Sequence, residues 1–319
     1  MTKYLYTFLI ILLASALYAQ NELPLQRQYF FNDLVINPAT AGSKSYNPAS
    51  LNYRKQWVGI KDAPAFQSFV MHGLLWNQKV GFGGSIYNST SGPTTQNGIQ
   101  LAYSYHISII KNITRLSFGI SAMLNQFLLN EKALRMDQPG DNAIIDGTSK
   151  TIVADGTAGL YYYTGGYSTK KYYLGLSASN LLQHEIVKWG SNGMILPKRP
   201  KGFFLAGGYE YKLPVDFTFE PSFLLKYYEK TPGLLYDETT PAPGLLYDIN
   251  AKIAYKGAVW IGGSYRDKES IVAMVGLNGD VIRIGYAYDM GLTSIKKYNT
   301  GSHEIYLSLH IKRRELKTM

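Results

Sequence analysis

The stretch Val281-Ile282-Arg283-Ile284-Gly285-Tyr286-Ala287-Tyr288-Asp289 decides the fold. Its even positions, Ile282, Ile284, Tyr286 and Tyr288, are large and apolar or aromatic, whereas Arg283, Gly285, Ala287 and Asp289 are small or charged. Strict alternation with a period of two puts the two sets on opposite faces of a β-strand. The pattern returns near the C-terminus, where Ile305, Leu307, Leu309 and Ile311 oppose Glu304, Tyr306, Ser308, His310 and Lys312. Each run is about ten residues long, enough for a tilted strand to cross the hydrocarbon of a bilayer. A soluble sandwich also alternates, but its outer face is rich in charge; here the second face is mostly small or weakly polar. The reading is all-β: a transmembrane antiparallel barrel whose closing hairpin spans residues 280–312.

Composition agrees. The 319 residues include 27 tyrosines, 31 glycines and no cysteine, and the mean hydropathy is -0.12. A helical membrane protein is far more apolar, whereas a barrel dilutes its lipid face with as many lumen residues. Without cysteine there are no disulfides and no thiolate metal sites. The basic Lys3, the apolar run Leu5 to Leu17 and the small Ala19 form a secretory signal over residues 1–19, too short an apolar run for a membrane anchor. The net charge of +10 is assigned to lumen, loops and the basic tail 313–319, read as a solvated end. No basic helix or aromatic RNA motif points to nucleic acid.

Residues 20–48 fit no alternating strand. Tyr29, Phe30, Phe31 and Ile36 need cover, and Pro38 and Gly42 mark turns, so this segment is read as a plug in the lumen or a cap on the rim. From residue 49 to 312 about fourteen strand-length segments follow, at 49–57, 65–75, 79–88, 98–108, 113–125, 156–164, 171–179, 201–211, 216–228, 246–256, 258–266, 270–278, 280–289 and 302–312. The longest connections, near 126–156 and 180–200, fall on one side by strand parity, which leaves both termini periplasmic. Pro232-Gly233-Leu234-Leu235-Tyr236-Asp237 recurs as Pro243-Gly244-Leu245-Leu246-Tyr247-Asp248, a local duplication that lengthens one outer loop.

No catalytic group is expected. His72, His106, His184, His303 and His310 show no metal-binding spacing. Ser302, His303 and Glu304 are strand neighbours that point to alternate faces and cannot work together. Asp137, Asp141, Asp146 and Asp155 match no calcium loop and read as solvated turns. No cofactor is implied. Arg54, Glu220, Lys226, Arg283, Asp289 and Glu304 are candidate lumen charges, which either line a solute path or pair with one another and hold a plug. Arg54, Gln56 and Trp57 also form a candidate rim contact to a partner, the alternative being an interfacial girdle tryptophan.

The order of motifs resembles the PorP/SprF family of the type IX secretion system, outer-membrane proteins of gliding and related Gram-negative bacteria. The resemblance rests on Gln28-Tyr29-Phe30-Phe31-Asn32, Ile36-Asn37-Pro38-Ala39 and Ala41-Gly42-Ser43, then on Tyr53-Arg54-Lys55-Gln56-Trp57-Val58-Gly59. It continues through Asp137-Gln138-Pro139-Gly140-Asp141, Tyr172 to Ser177 with Asn180-Leu181-Leu182, and Pro221 to Lys226. Gly285 to Asp289 and Tyr298 to Ile305 complete it. Asp33 stands where the family usually has proline, and Thr40 where it has an aromatic. The resemblance implies a non-enzymatic barrel that supports export and surface attachment of a large secreted protein, often an adhesin, through that protein's C-terminal domain. Some members also connect to a periplasmic peptidoglycan-binding partner. The competing reading is a channel or hydrophobic-solute transporter, because fold alone does not fix function.

Overall fold

The computed structural model describes residues 32–75, 79–110, 113–130, 148–164, 171–182, 186–189, 194–196, 200–229 and 245–313. The expected signal segment 1–19, residues 20–31 of the expected plug or rim segment, the first copy of the duplicated motif at 232–237, the tail beyond Arg313, and Asp137, Asp141, Asp146 and His184 lie outside these residues.

Alternation folds as expected. The strands are β1 (Asn47–Lys55), β2 (Ala65–Leu74), β3 (Val80–Ser91), β4 (Thr94–Ile110), β5 (Thr114–Asn130), β6 (Thr148–Thr164), β7 (Lys171–Ser179), β8 (Ile186–Trp189) and β9 (Met194–Leu196). They continue as β10 (Gly202–Lys212), β11 (Phe217–Tyr228), β12 (Leu245–Tyr255), β13 (Val259–Arg266), β14 (Ser270–Asn278), β15 (Ile282–Gly291) and β16 (Ser302–Ile311). Fourteen of them make a closed barrel in the order β1-β16-β15-β14-β13-β12-β11-β10-β7-β6-β5-β4-β3-β2, and β8 and β9 pair separately in the connection from β7 to β10. The quoted stretch and the final strand pair as foreseen, with Ile284 opposite Leu307, and β16 meets β1 with Leu307 opposite Leu51.

The barrel is apolar outside and polar inside. Leu51, Phe69, Ile99, Ile120, Ile261 and Ile284 are exposed, while Ser50, Asn52, Gln100, Ser104, Asn125 and Asp289 are buried. In water this would be inside out; in a bilayer the closed ladder pairs the strand backbone and turns the apolar outward side chains to lipid. A cation on the outer face tests it. Ile284→Arg is expected to cost roughly 2 to 4 kcal/mol near the midplane, seen as a drop in assembled barrel on unheated gels. Arg283→Ala on the inner face should assemble normally.

Three strands are longer than their alternation announced. β4, β5 and β6 each have 17 residues, against expected spans of 98–108, 113–125 and 156–164. The β4 extension, Thr94 to Asn97, is polar on both faces, and that of β5 runs Phe127, Leu128 and Leu129 in succession, so neither carries a period-two signal, yet the pairing Thr94↔Leu129 and Asn130↔Thr148 is kept. Asp155, expected in a solvated turn, lies within β6 instead. Asp155 is buried, and its Oδ1 accepts from Gly156 N at 2.7 Å and Leu182 N at 3.2 Å. On the outward face the extensions carry an amide ladder. Gln67 Nε2 donates to Asn88 Oδ1 (3.3 Å), Asn88 Nδ2 to Asn97 Oδ1 (2.7 Å), and Asn97 Nδ2 to Gln126 Oε1 (3.2 Å). Polar groups in this number are not tolerated facing hydrocarbon, so the ladder marks one aqueous edge of the barrel.

Candidate functional site

The described part of the N-terminal segment, from residue 32 on, settles inside the lumen rather than on the rim. Two short 3-10 turns, Asp33–Val35 and Pro38–Thr40, are joined through Asn37. Pro38 suits the first position of such a turn, and the Asn37 side chain caps it by accepting from Ala39 N at 3.0 Å. Thr40 is buried and donates to Asn37 O at 2.8 Å. Asp33, in place of a proline, holds Lys44 at 2.8 Å. Burial opposes the Lys44 charge and the Asp33 carboxylate overcomes it, leaving the ammonium pKa above its ordinary value.

So irregular a backbone has carbonyls to satisfy, and the wall supplies the donors. Ser177 Oγ donates to Ile36 O (2.8 Å), Ser117 Oγ to Ala39 O (2.7 Å), and Ser104 Oγ to Ala41 O (2.7 Å). Asn37 Nδ2 reaches the wall carbonyls of Leu160 (2.9 Å) and Leu176 (3.2 Å). His106 Nε2 lies 2.8 Å from Ala41 O, and Tyr163 Oη lies 2.9 Å from His106 Nδ1. Because a carbonyl can only accept, Nε2 carries the proton and the tyrosine donates to Nδ1. His72 Nδ1 accepts from Gly42 N at 3.0 Å.

Apolar contacts complete the docking. Leu34 packs with Val70 and Ala102, Ile36 with Phe204, Leu224, Tyr228 and Leu246, and Ala39 with Tyr161 and Tyr163. The approach is close enough to require glycine in the wall. A Cβ on Gly119 would stand 2.1 Å from Ala39 N, and one on Gly159 2.1 Å from Asn37 Oδ1. The C-terminal end also grips the plug: Arg313 donates to the carbonyls of Gly42 (2.9 Å) and Lys44 and to Asn47 Oδ1 (3.2 Å). This part of the basic tail is docked, not solvated.

The charges gather mainly in the half of the lumen farther from the termini. Arg54 Nη2 meets Asp289 Oδ2 at 3.1 Å and Arg54 Nη1 lies 3.7 Å from Glu304 Oε2, while Asn52 Nδ2 donates to Glu304 Oε1 at 3.0 Å. Across the lumen wall Asp248 takes Arg266 at 2.9 Å and Lys226 at 3.5 Å, and Arg266 also meets Glu269 at 3.3 Å. Glu220 pairs with Lys252 at 2.8 Å. Arg283 sits near the other end and donates to Tyr46 Oη at 3.1 Å, at the root of the plug.

Of the two readings of the lumen charges, this geometry is the paired one. Arg54 must be corrected as a rim contact: it keeps the inward parity of Ser50 and Asn52, is 4% exposed and is committed to two carboxylates. Gln56 and Trp57 do lie on the rim, half-buried, in a loop stapled to its neighbour. Gln56 N donates to Pro64 O (2.8 Å), Val58 N to Gly301 O (2.8 Å), Thr300 N to Val58 O (2.9 Å) and Trp57 N to Ser302 Oγ (3.2 Å). Ser302 and Glu304 point inward and are buried, whereas His303 points outward towards Tyr286. Sequence reasoning missed Asp248, Arg266 and Lys252, and missed the serines that bind the plug. The first three were visible as charges on the small-residue faces of their strands; the serines carried no such mark.

A closed fourteen-strand barrel with an apolar exterior and a polar interior defines an outer-membrane β-barrel protein. The model of the family described as type IX secretion system membrane protein PorP/SprF matches residues 19–309. The chain belongs to that family, and its role lies with type IX secretion. No curated protein matches it. Similar solved structures include the Pseudomonas putida toluene transporter TodX, with 11% identity over 88% of this chain and 93% of that one and a TM-score of 0.48. Omp33 of Acinetobacter baumannii is similar with 6% identity over 85% and 100% of the two chains and a TM-score of 0.44.

Proposed function

We propose that this protein is a non-enzymatic outer-membrane component of type IX secretion that supports export and surface attachment of one large secreted protein, an adhesin, by binding its C-terminal domain. The observation that carries the reading is the filled lumen in a barrel of this family: a wall that hydrogen-bonds its own plug and pairs its own charges serves better as a docking platform than as a solute path. Fourteen strands return the chain to the side on which it began, so both termini are assigned to the periplasm, where a peptidoglycan-binding partner can reach Arg313 and the plug root. The stapled loop of Gln56 and Trp57 lies at the opposite rim, as does the Ser294–Tyr298 turn with its 75% exposed Tyr298. That rim is assigned to the client.

Deleting the gene tests this. The expected result is loss of one large protein from the cell surface with the rest of the surface proteome unchanged, and recovery of that protein with the barrel after gentle detergent extraction and cross-linking. An unchanged surface proteome, together with solute flux through the purified barrel, would support the transporter reading instead.

A further inference from the structure

The outer wall of the barrel is not smooth. Pairing aligns one outward residue per strand in the row Tyr103, Ile120, Ala158, Ala178, Phe203, Tyr227, from β4 to β11. Ala158 and Ala178 sit side by side in that row, between the far larger Ile120 and Phe203. An apolar groove of about 780 Å³ opens over them on the outside of the barrel, with Leu160 and Leu176 along one margin.

The amide ladder gives its depth. Asn97 and Gln126 share the outward faces of β4 and β5 with Tyr103 and Ile120, and each pair is six residues apart. At about 3.4 Å per residue that is roughly 20 Å along the strand, or about 15 Å along the membrane normal at a tilt near 40°. The groove therefore opens near the middle of the hydrocarbon, where an occupant must be apolar. A neighbouring barrel offers a convex wall and cannot enter a recess. A thin, flexible hydrocarbon chain can, and it regains the dispersion contacts that an empty recess would forfeit.

We infer that the recess over Ala158 and Ala178 is a binding site for an acyl chain of a membrane lipid, which exchanges more slowly than lipid on the rest of the wall. The inference depends on the barrel being in a membrane, and not on its role in secretion.

The test uses the full-length protein in phosphatidylethanolamine vesicles containing a phospholipid with a photoactivatable diazirine at mid-chain. Adducts are mapped by peptide mass spectrometry after irradiation. Labelling is expected to concentrate several-fold on Tyr103, Phe203 and Tyr227 relative to Val275 and Ile284 on the opposite wall. Ala178→Phe fills the recess and should reduce the groove to the level of that wall. Even labelling around the native barrel overturns the inference, and so does undiminished groove labelling in an Ala178→Phe barrel that shows normal heat-modifiable migration. If Ala178→Phe fails to assemble, the native map decides the matter, with Ala158→Leu as the milder filling variant.

Discussion

A Gly119→Val barrel is expected to conduct ions in a planar bilayer under conditions where the native barrel is silent. Position 119 is extended strand, which valine favours, so the substitution leaves the wall able to fold. Inside, the new Cβ would lie 2.1 Å from Ala39 N and 2.4 Å from Ala39 Cα, and neither is the movable end of a side chain. The plug must give way. Its hold includes the hydroxyl, amide and imidazole bonds at Ile36, Asn37, Ala39 and Ala41, on the order of 1 kcal/mol each, beside the apolar contacts and the bonds from Arg313. The clash falls on the backbone of Ala39, at the centre of that set, and displaces the groups that make the neighbouring bonds. The expected readout is open-channel current together with new protease sensitivity around residues 33–46, at unchanged yield of folded barrel. A Gly119→Val barrel that stays silent with its N-terminal segment protected would show that the plug does not seal the lumen.

The second large effect is on stability. Asp248 is 1% exposed and is the shared acceptor of Lys226 and Arg266, both equally buried. Asp248→Leu removes the carboxylate that Lys226 and Arg266 share, while Arg266 keeps Glu269 at 3.3 Å, and breaking a buried pair in this way costs about 3 to 5 kcal/mol. The heat-shift temperature of the barrel should fall sharply. Adding Lys226→Met should recover much of the loss, because a buried ion pair can be replaced by apolar side chains at little net cost. An Asp248→Leu barrel that melts with the native one would mean that lumen water, not Asp248, solvates these cations.

Much of this architecture could be read from residues. The alternation of Ile99, Leu101, Tyr103 and Tyr105 and of Ile282 to Tyr288 named the lipid face, and counting such runs arrived at the fourteen strands. Polar two-faced stretches such as Thr94 to Asn97 gave no such signal, because pairing beyond the membrane needs no apolar face. The destination of the N-terminal segment was open between lumen and rim, since its partners are remote: Ser177 lies 141 residues from Ile36 and Ser117 lies 78 from Ala39. No local pattern encodes such a match. Arg54 is a different case. Its even number, shared with Ser50 and Asn52, already placed it on the inner face, and its neighbours Gln56 and Trp57 obscured that parity.

Arg313 ties the end of the chain to its beginning. It reaches the carbonyls of Gly42 and Lys44 only from the far side of β16, and β16 takes its place only by pairing with β1. The Arg313 part of the plug's hold therefore forms only once β16 has paired with β1. A residue just past the last strand thus clasps the segment that precedes the first, and a chain cut before Arg313 would close its barrel without that clasp.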